Sequence, residues 1–316
     1  MNTPRSRRAM LGDVAALGAM LTIPRPLAAL LGAVTPGRPL AADVERAGDP
    51  DHERLAAWAT VLRTERLAGA RVPLGRASAR VGELAIGTPY EAFTLEAYLK
   101  AGGSPTSLEP LALSLTRFDC VTLVESCLAI ARVARGDGAP TWERFAREME
   151  RMRYRGGTRG DYASRNHYFS EWISDGARRG LLRDLGAELG GEVDARPLRF
   201  MTEHRKSYPA LADDRVFAAI GAMERGLDGQ PRRVVPTARI AAVSDRIRTG
   251  DVLAFATSIP GLDVTHSAMA HRDAKGVLRV LHAPLSGGSV EITRSTLPEY
   301  VAAIKRSTGI LVARPI

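Results

Sequence analysis

The sequence predicts an α+β fold. Three observations carry this. Apolar residues recur at helical spacing through most of the first two thirds of the chain. From Gln230 onward the pattern turns to short, alternating, strand-like runs. The 316 residues are 45% hydrophobic, 25% charged and 5% aromatic, which is globular and neither disordered nor fibrous. Helices first and antiparallel strands after read as α+β, and the length suffices for a sizeable core. No apolar run reaches the roughly 20 residues of an ordinary membrane span. Two cysteines cannot make a disulfide scaffold. The net charge is +9, with four lysines against forty arginines, and the arginines are scattered. A nucleic-acid footprint would be a clustered patch, so no nucleic-acid partner is expected.

Taken in order, residues 1–42 read as an export signal and linker. Ser6-Arg7-Arg8, then Leu11, resembles a twin-arginine signal. A modest apolar run over 14–23 follows, too short to span, with small-residue cleavage sites at Ala33 or Ala42. Asp13 and Arg25 depart from that pattern, and a basic N-terminus before an amphipathic helix is the alternative. The implied location is the periplasm. Residues 43–110 are expected to cap the core as a helical segment, and 111–316 to form the main domain. The spacing of Leu55, Trp58, Ala59 and Leu62 predicts a helix over 52–67. Residues 81–89 read as loop and short strand, and 90–101 have mixed periodicity. The most apolar helix lies within 108–136, and a charged amphipathic one covers 142–154. Residues 156–167 form a Gly/Arg-rich loop, 168–182 a helix, 188–200 a segment with a strand-like end, and 213–226 a helix. Strands follow at 232–235, 251–256, 266–270, 277–283 and 290–293. A helix at 297–305 and a strand at 309–313 close the chain.

Chemistry concentrates in two places. Cys120 falls in the first turn of the apolar helix, after Phe118-Asp119. A helix start favours an anion, which is expected to lower the thiol pKa, and its free amides could hold an oxyanion. Thr122, Glu125, Ser126, Ala129 and Arg132 make one narrow wet stripe on that helix. Cys127 lies about 10 Å further along, too far to bridge, and reads as core. A thiol nucleophile needs a base and the base an orienting partner. The turn Asp273-Ala274-Lys275-Gly276 pairs two strands so that His282 lies opposite or diagonal to His266. Ala268 and Ala270 share the face of His266, small enough for a helix end to approach. His271 points to the other face. A zinc site of Cys120, His266 and His282 is the metal alternative. His52, His204 and His271 read as satisfied or solvated.

Together these segments resemble a known family. The carriers are Leu115-Thr116-Arg117-Phe118-Asp119-Cys120-Val121-Thr122-Leu123-Val124-Glu125, Arg153-Tyr154-Arg155-Gly156, Ser164 through Trp172, Tyr208-Pro209, and Gly250-Asp251 through His266. Their order resembles the NlpC-type cell-wall cysteine peptidases, and more closely the N-acetylmuramoyl-L-alanine amidase-like family among them, over roughly residues 85–313. Asn166 and Ser267-Ala268 depart from its usual residues. The resemblance implies a papain-like core, its nucleophile helix packed on an antiparallel sheet or partial barrel, with added N-terminal and inserted helices. It implies hydrolysis of the muramoyl–L-alanine amide by Cys120, with His266 as base and His282 orienting it, and no cofactor or metal. A D-γ-glutamyl–diaminopimelate endopeptidase on the same fold, or a non-catalytic wall-binding protein, are the alternatives. Arg165, His167 and Tyr168 become candidate substrate contacts, Arg165 through a bidentate pair with a stem-peptide carboxylate. For Arg165 an ordinary surface role beside a helix cap stays open. Asp119 is a helix cap or a substrate contact. Peptidoglycan or muropeptides are the expected partner of a monomer.

Overall fold

The computed structural model describes residues 48–286 and 288–316. The expected export signal at 1–42 lies outside them. From Pro50 to Ile316 the chain is one unit. It opens with α1 (Pro50–Thr64), α2 (Leu74–Leu84) and the single turn α3 (Ala97–Lys100), then α4 (Cys120–Arg135), α5 (Trp142–Arg153) and α6 (Phe169–Arg178). Short strands β1 (Leu182–Asp184) and β2 (Glu192–Asp194) precede α7 (Phe200–Glu203), α8 (Asp214–Gly226), β3 (Arg232–Pro236) and α9 (Ile240–Val243). The chain ends in β4 (Val252–Thr257), β5 (Val264–Arg272), β6 (Leu278–His282), β7 (Glu291–Ile292), α10 (Leu297–Ala303) and β8 (Ser307–Pro315). Every strand pair is antiparallel, in the order β2-β3-β8-β4-β5-β6-β7, with β1 also on β8. The α+β expectation therefore holds.

Both faces of the central strands are buried. Val252, Ala254, Met269, Leu281 and Leu311 join α4 through Leu123, Val124, Cys127 and Leu128. Leu253, Phe255, Ala268, Ala270, Val280 and Val312 face the other way, onto Leu297 and Val301 of α10 and Ile240 of α9. Strands covered on two sides lose the alternation of a half-wet sheet, and β4 is accordingly buried throughout and apolar up to its last residue, Thr257. A third cluster joins Tyr162 and Tyr168 to Phe200, Leu211, Val216 and Ile220.

Several sequence expectations change. The loop and short strand expected over 81–89 begin later, because Val81 to Leu84 complete α2; a turn over 85–87 and a bridge from Pro89 to Ser289 follow. Gly75 of that helix packs on Gly250, where any side chain on the left-handed Gly250 would strike the Gly75 backbone. Within the stretch expected to cap the core, Leu55, Trp58, Leu62, Leu74 and Val81 lie in the same core as α4. Residues 237–246, given no element beforehand, wind into short helical turns around α9. The stripe on α4 is not wet, since Thr122, Glu125, Ser126 and Ala129 are all buried. Glu125 is satisfied there by Arg153, whose Nε donates to Oε2 at 2.9 Å.

Candidate active site

The start of α4 is capped by its own sequence. Asp119 Oδ1 accepts the Thr122 N–H at 2.7 Å, and the Asp119 N–H donates to the Thr122 hydroxyl at 2.9 Å. This reciprocal box makes Cys120 the first helical residue, partly exposed, where free N–H groups converge. The cap reading of Asp119 is thus observed. The thiol does not behave as the helix end alone would dictate. Burial pushes it up to about 11, and the Asp119 carboxylate pushes the same way, against the opposing pull of Ser267. Desolvation and a neighbouring carboxylate outweigh the helix end. Iodoacetamide labelling of Cys120, followed by peptide mass spectrometry, should keep accelerating as pH rises past about 9. A rate already flat at neutral pH would contradict this account. Cys127 is 1% exposed and serves the core.

His266 and His282 meet through the β5–β6 hairpin. With Met269 opposite Leu281, His282 falls on the diagonal of His266 and on the same face. His266 Nε2 lies 2.9 Å from His282 Nδ1, with the rings steeply inclined at 73°. Phe255 stacks on His266, and the Tyr300 hydroxyl lies 3.4 Å from His282 Nδ1. Burial pushes His266 down to about 3, the neighbouring imidazole adding to it, and burial pushes His282 down to about 4. Both imidazoles are neutral near pH 7. His266 Nδ1 and His282 Nε2 are buried and have no hydrogen-bond partner. Glu291 Oε1 stands 3.6 Å from His282 Nε2.

Thiol and histidines share one neighbourhood. Cys120 adjoins Ser267, the residue after His266. Its charge also bears on Tyr300, which touches His282, and on Tyr90. One expectation about this approach is corrected. Ala268 and Ala270 do not receive the helix; they lie in the α10 cluster, and α4 packs on the Met269 face. Among the described residues no three His, Cys, Asp or Glu side chains gather as a metal site.

The predicted substrate wall is largely committed to the fold. Arg165 is 5% exposed, donates to Glu96 Oε1 at 2.7 Å, lies 3.3 Å from Glu109 Oε2 and covers the Tyr162 ring. Its guanidinium is already matched by two carboxylates, so the bidentate substrate pair is not available in this arrangement, nor is it a surface residue. Tyr168 is buried and its hydroxyl donates to Glu224 Oε1 at 2.6 Å, so it belongs to the core. His167 Nε2 lies 2.8 Å from the Tyr162 carbonyl, and burial holds the ring well below the usual histidine range. His52 stacks on Trp142, His204 on Phe200, and His271 meets Glu83 at 3.0 Å. Asp263, for which the sequence suggests no role, caps α6 by accepting the Ser170 N–H at 2.8 Å. Tyr90, Ser267, Glu291 and Tyr300 escape the sequence reading. Only the register of β7 and the packing of α10 bring the last two to the site.

Comparison with known proteins gives this geometry its context. The profile of the AmiA-like family, described as N-acetylmuramoyl-L-alanine amidase-like, matches residues 80–310. The chain belongs to this family. An N-acetylmuramoyl-L-alanine amidase from Bacteroides uniformis is 29% identical at TM-score 0.69, over 77% of this chain and 99% of that one. A Bacteroides fragilis protein described as a candidate xylanase is 32% identical at TM-score 0.64, over 74% of this chain and 99% of that one. LPG0564 from Legionella pneumophila, of the DUF1460 family, shares the fold at 17% identity and TM-score 0.59, over 84% and 94%. No curated protein matches. Membership in the family and the amidase-named neighbours suggest a peptidoglycan hydrolase acting on cell-wall amides. No helix among the described residues is long and apolar enough to cross a membrane.

Proposed function

We propose that this family member is a cysteine amidase with a papain-like, NlpC-type core, cleaving the amide between the muramic lactyl group and L-alanine. The observation that carries the reading is the 2.9 Å contact of His266 with His282, where Ser267, the residue after His266, adjoins the cysteine that opens a capped helix. The thiol and both imidazoles rest neutral, so activation proceeds by proton transfer. His266 Nδ1 takes the Cys120 proton as sulfur attacks the lactyl carbonyl. Free N–H groups at the start of α4 receive the oxyanion. His266 then protonates the departing L-alanine nitrogen, and the stem peptide leaves. Water, activated by the same histidine, hydrolyses the thioester and frees Cys120. His282 holds the His266 ring in place. Residues 1–42 would deliver the enzyme to the periplasm, where muropeptides lie.

Mass spectrometry of defined muropeptides tests this. The enzyme should release a free stem peptide beginning at L-alanine, and Cys120→Ala should release none. Fragments cut between D-glutamate and diaminopimelate would make it an endopeptidase instead. Intact muropeptides together with hydrolysed xylan would turn the reading toward its xylanase-described neighbour.

A further inference from the structure

The site holds two buried nitrogens without partners, and they are the two ends of one chain of atoms. His266 Nδ1 is one end and His282 Nε2 the other, joined through the 2.9 Å Nε2–Nδ1 contact. A neutral imidazole carries one N–H, so a single choice of tautomer propagates along such a chain. If His282 carries its proton on Nδ1, it donates to His266 Nε2. His266 must then be protonated at Nδ1 and offers the thiol no lone pair. If His282 carries its proton on Nε2, its Nδ1 accepts from His266 Nε2–H, and His266 Nδ1 is free. The fold must therefore select one tautomer of His282.

Phe255 of β4, Tyr300 of α10 and Glu291 of β7 face the pair. Glu291 is the cross-strand partner of His282, and its carboxylate lies 3.6 Å from Nε2. Closure by under an ångström would make a charge-assisted hydrogen bond from His282 Nε2–H. The Tyr300 hydroxyl, 3.4 Å from His282 Nδ1, can donate or accept and so leaves the choice to Glu291. We propose that Glu291 is the positioning residue that holds His282 in its Nε2–H tautomer and so leaves His266 Nδ1 as the free base. The inference deepens, and rests on, the thiol-hydrolase reading above. When His266 takes the Cys120 proton, the new positive charge is shared with His282 through their common N–H, and Glu291 faces it. Glu291 is 57% exposed, so this attraction is screened, and its main effect is on orientation.

Nitrogen-detected NMR of the histidine rings in the full chain at neutral pH reads the tautomers directly. The wild type should show the Nε2–H form at both His266 and His282. Glu291→Lys should move a measurable fraction of His282 to Nδ1–H and lower kcat on muropeptides by about tenfold, with KM nearly unchanged. Glu291→Gln, which keeps an accepting oxygen, should retain the tautomer and most of kcat. A wild-type His282 in the Nδ1–H form overturns the proposal. So does a Glu291→Lys protein with unaltered tautomers and kcat. Tautomers that follow Glu291 in a protein that cuts no muropeptide would sustain this inference while defeating the hydrolase reading.

Discussion

His266→Ala is expected to lower kcat/KM on muropeptides by about a thousandfold, within the range lost with a positioned acid–base. The loss should fall on kcat, because the 5% exposed ring offers little surface to substrate. The resting thiol is neutral, pushed up to about 11, so without His266 almost no nucleophile forms near neutral pH. Raising the pH should restore part of the mutant's activity, as hydroxide substitutes for the missing base. The double variant Cys120→Ala/His266→Ala should be no worse than Cys120→Ala alone, since the two act as one unit. Stopped assays from pH 6 to about 10 would measure this. A mutant within about tenfold of wild type would remove His266 from the chemistry. Circular dichroism should show the fold retained with some loss of stability, because the buried ring stacks on Phe255.

Glu125→Ala should cost about 3–5 kcal/mol, the penalty for stranding a buried partner. Glu125 and Arg153 are 1% and 3% exposed, and Arg153 also donates to the Ala112 carbonyl at 2.7 Å. Without the carboxylate, a guanidinium stays in the core between α4 and α5. Scaled to a unit of this size, the midpoint should fall by about 6–15 °C in a calorimetric scan. Glu125→Met with Arg153→Met should be milder than the sum of the single changes, because apolar replacement of both removes the uncompensated charge. A drop below about 2 °C for Glu125→Ala would show that water reaches the pair. Because Glu125 sits less than two turns beyond Asp119, the same loss should loosen the helix end that presents Cys120.

What was legible in the sequence follows from the range of the interactions involved. The α4 start was readable because its cap is local: Asp119 and Thr122 are three residues apart. The His266–His282 contact was readable because a short turn joins their strands, so counting from 273–276 sets the register. The first helix was readable because Leu55, Trp58, Ala59 and Leu62 all point into one core. Failures came where distant chain decides the environment. Arg165 looks free in the sequence, but Glu96 and Glu109 reach it from another segment. The polar stripe of α4 looks wet because nothing local announces that Arg153 covers Glu125. Helix α2 was missed because Gly75 and Gly82, poor helix formers that here pack on Gly250 and Leu281, interrupt it, although Leu74, Ala77 and Val81 keep helical spacing on its buried face. The papain-like comparison was likewise drawn from motifs, and it stays part of the proposal.

Strand β5 carries the site on two sides. His266 and Ala268 face α10, whereas Ser267 beside the thiol and Met269 belong to the side of α4. A slip of one residue would exchange these surfaces and set a serine where the base stands. Both ends of the strand guard against it. At one end Asp263 binds the Val264 and Ser170 amides, and at the other Asp273 binds the Lys275 and Val277 amides. Two aspartates distant from any reacting atom thereby act as the alignment pins of the machine. A one-residue insertion between them should leave a folded protein with its cysteine present and its chemistry addressed to the wrong surface.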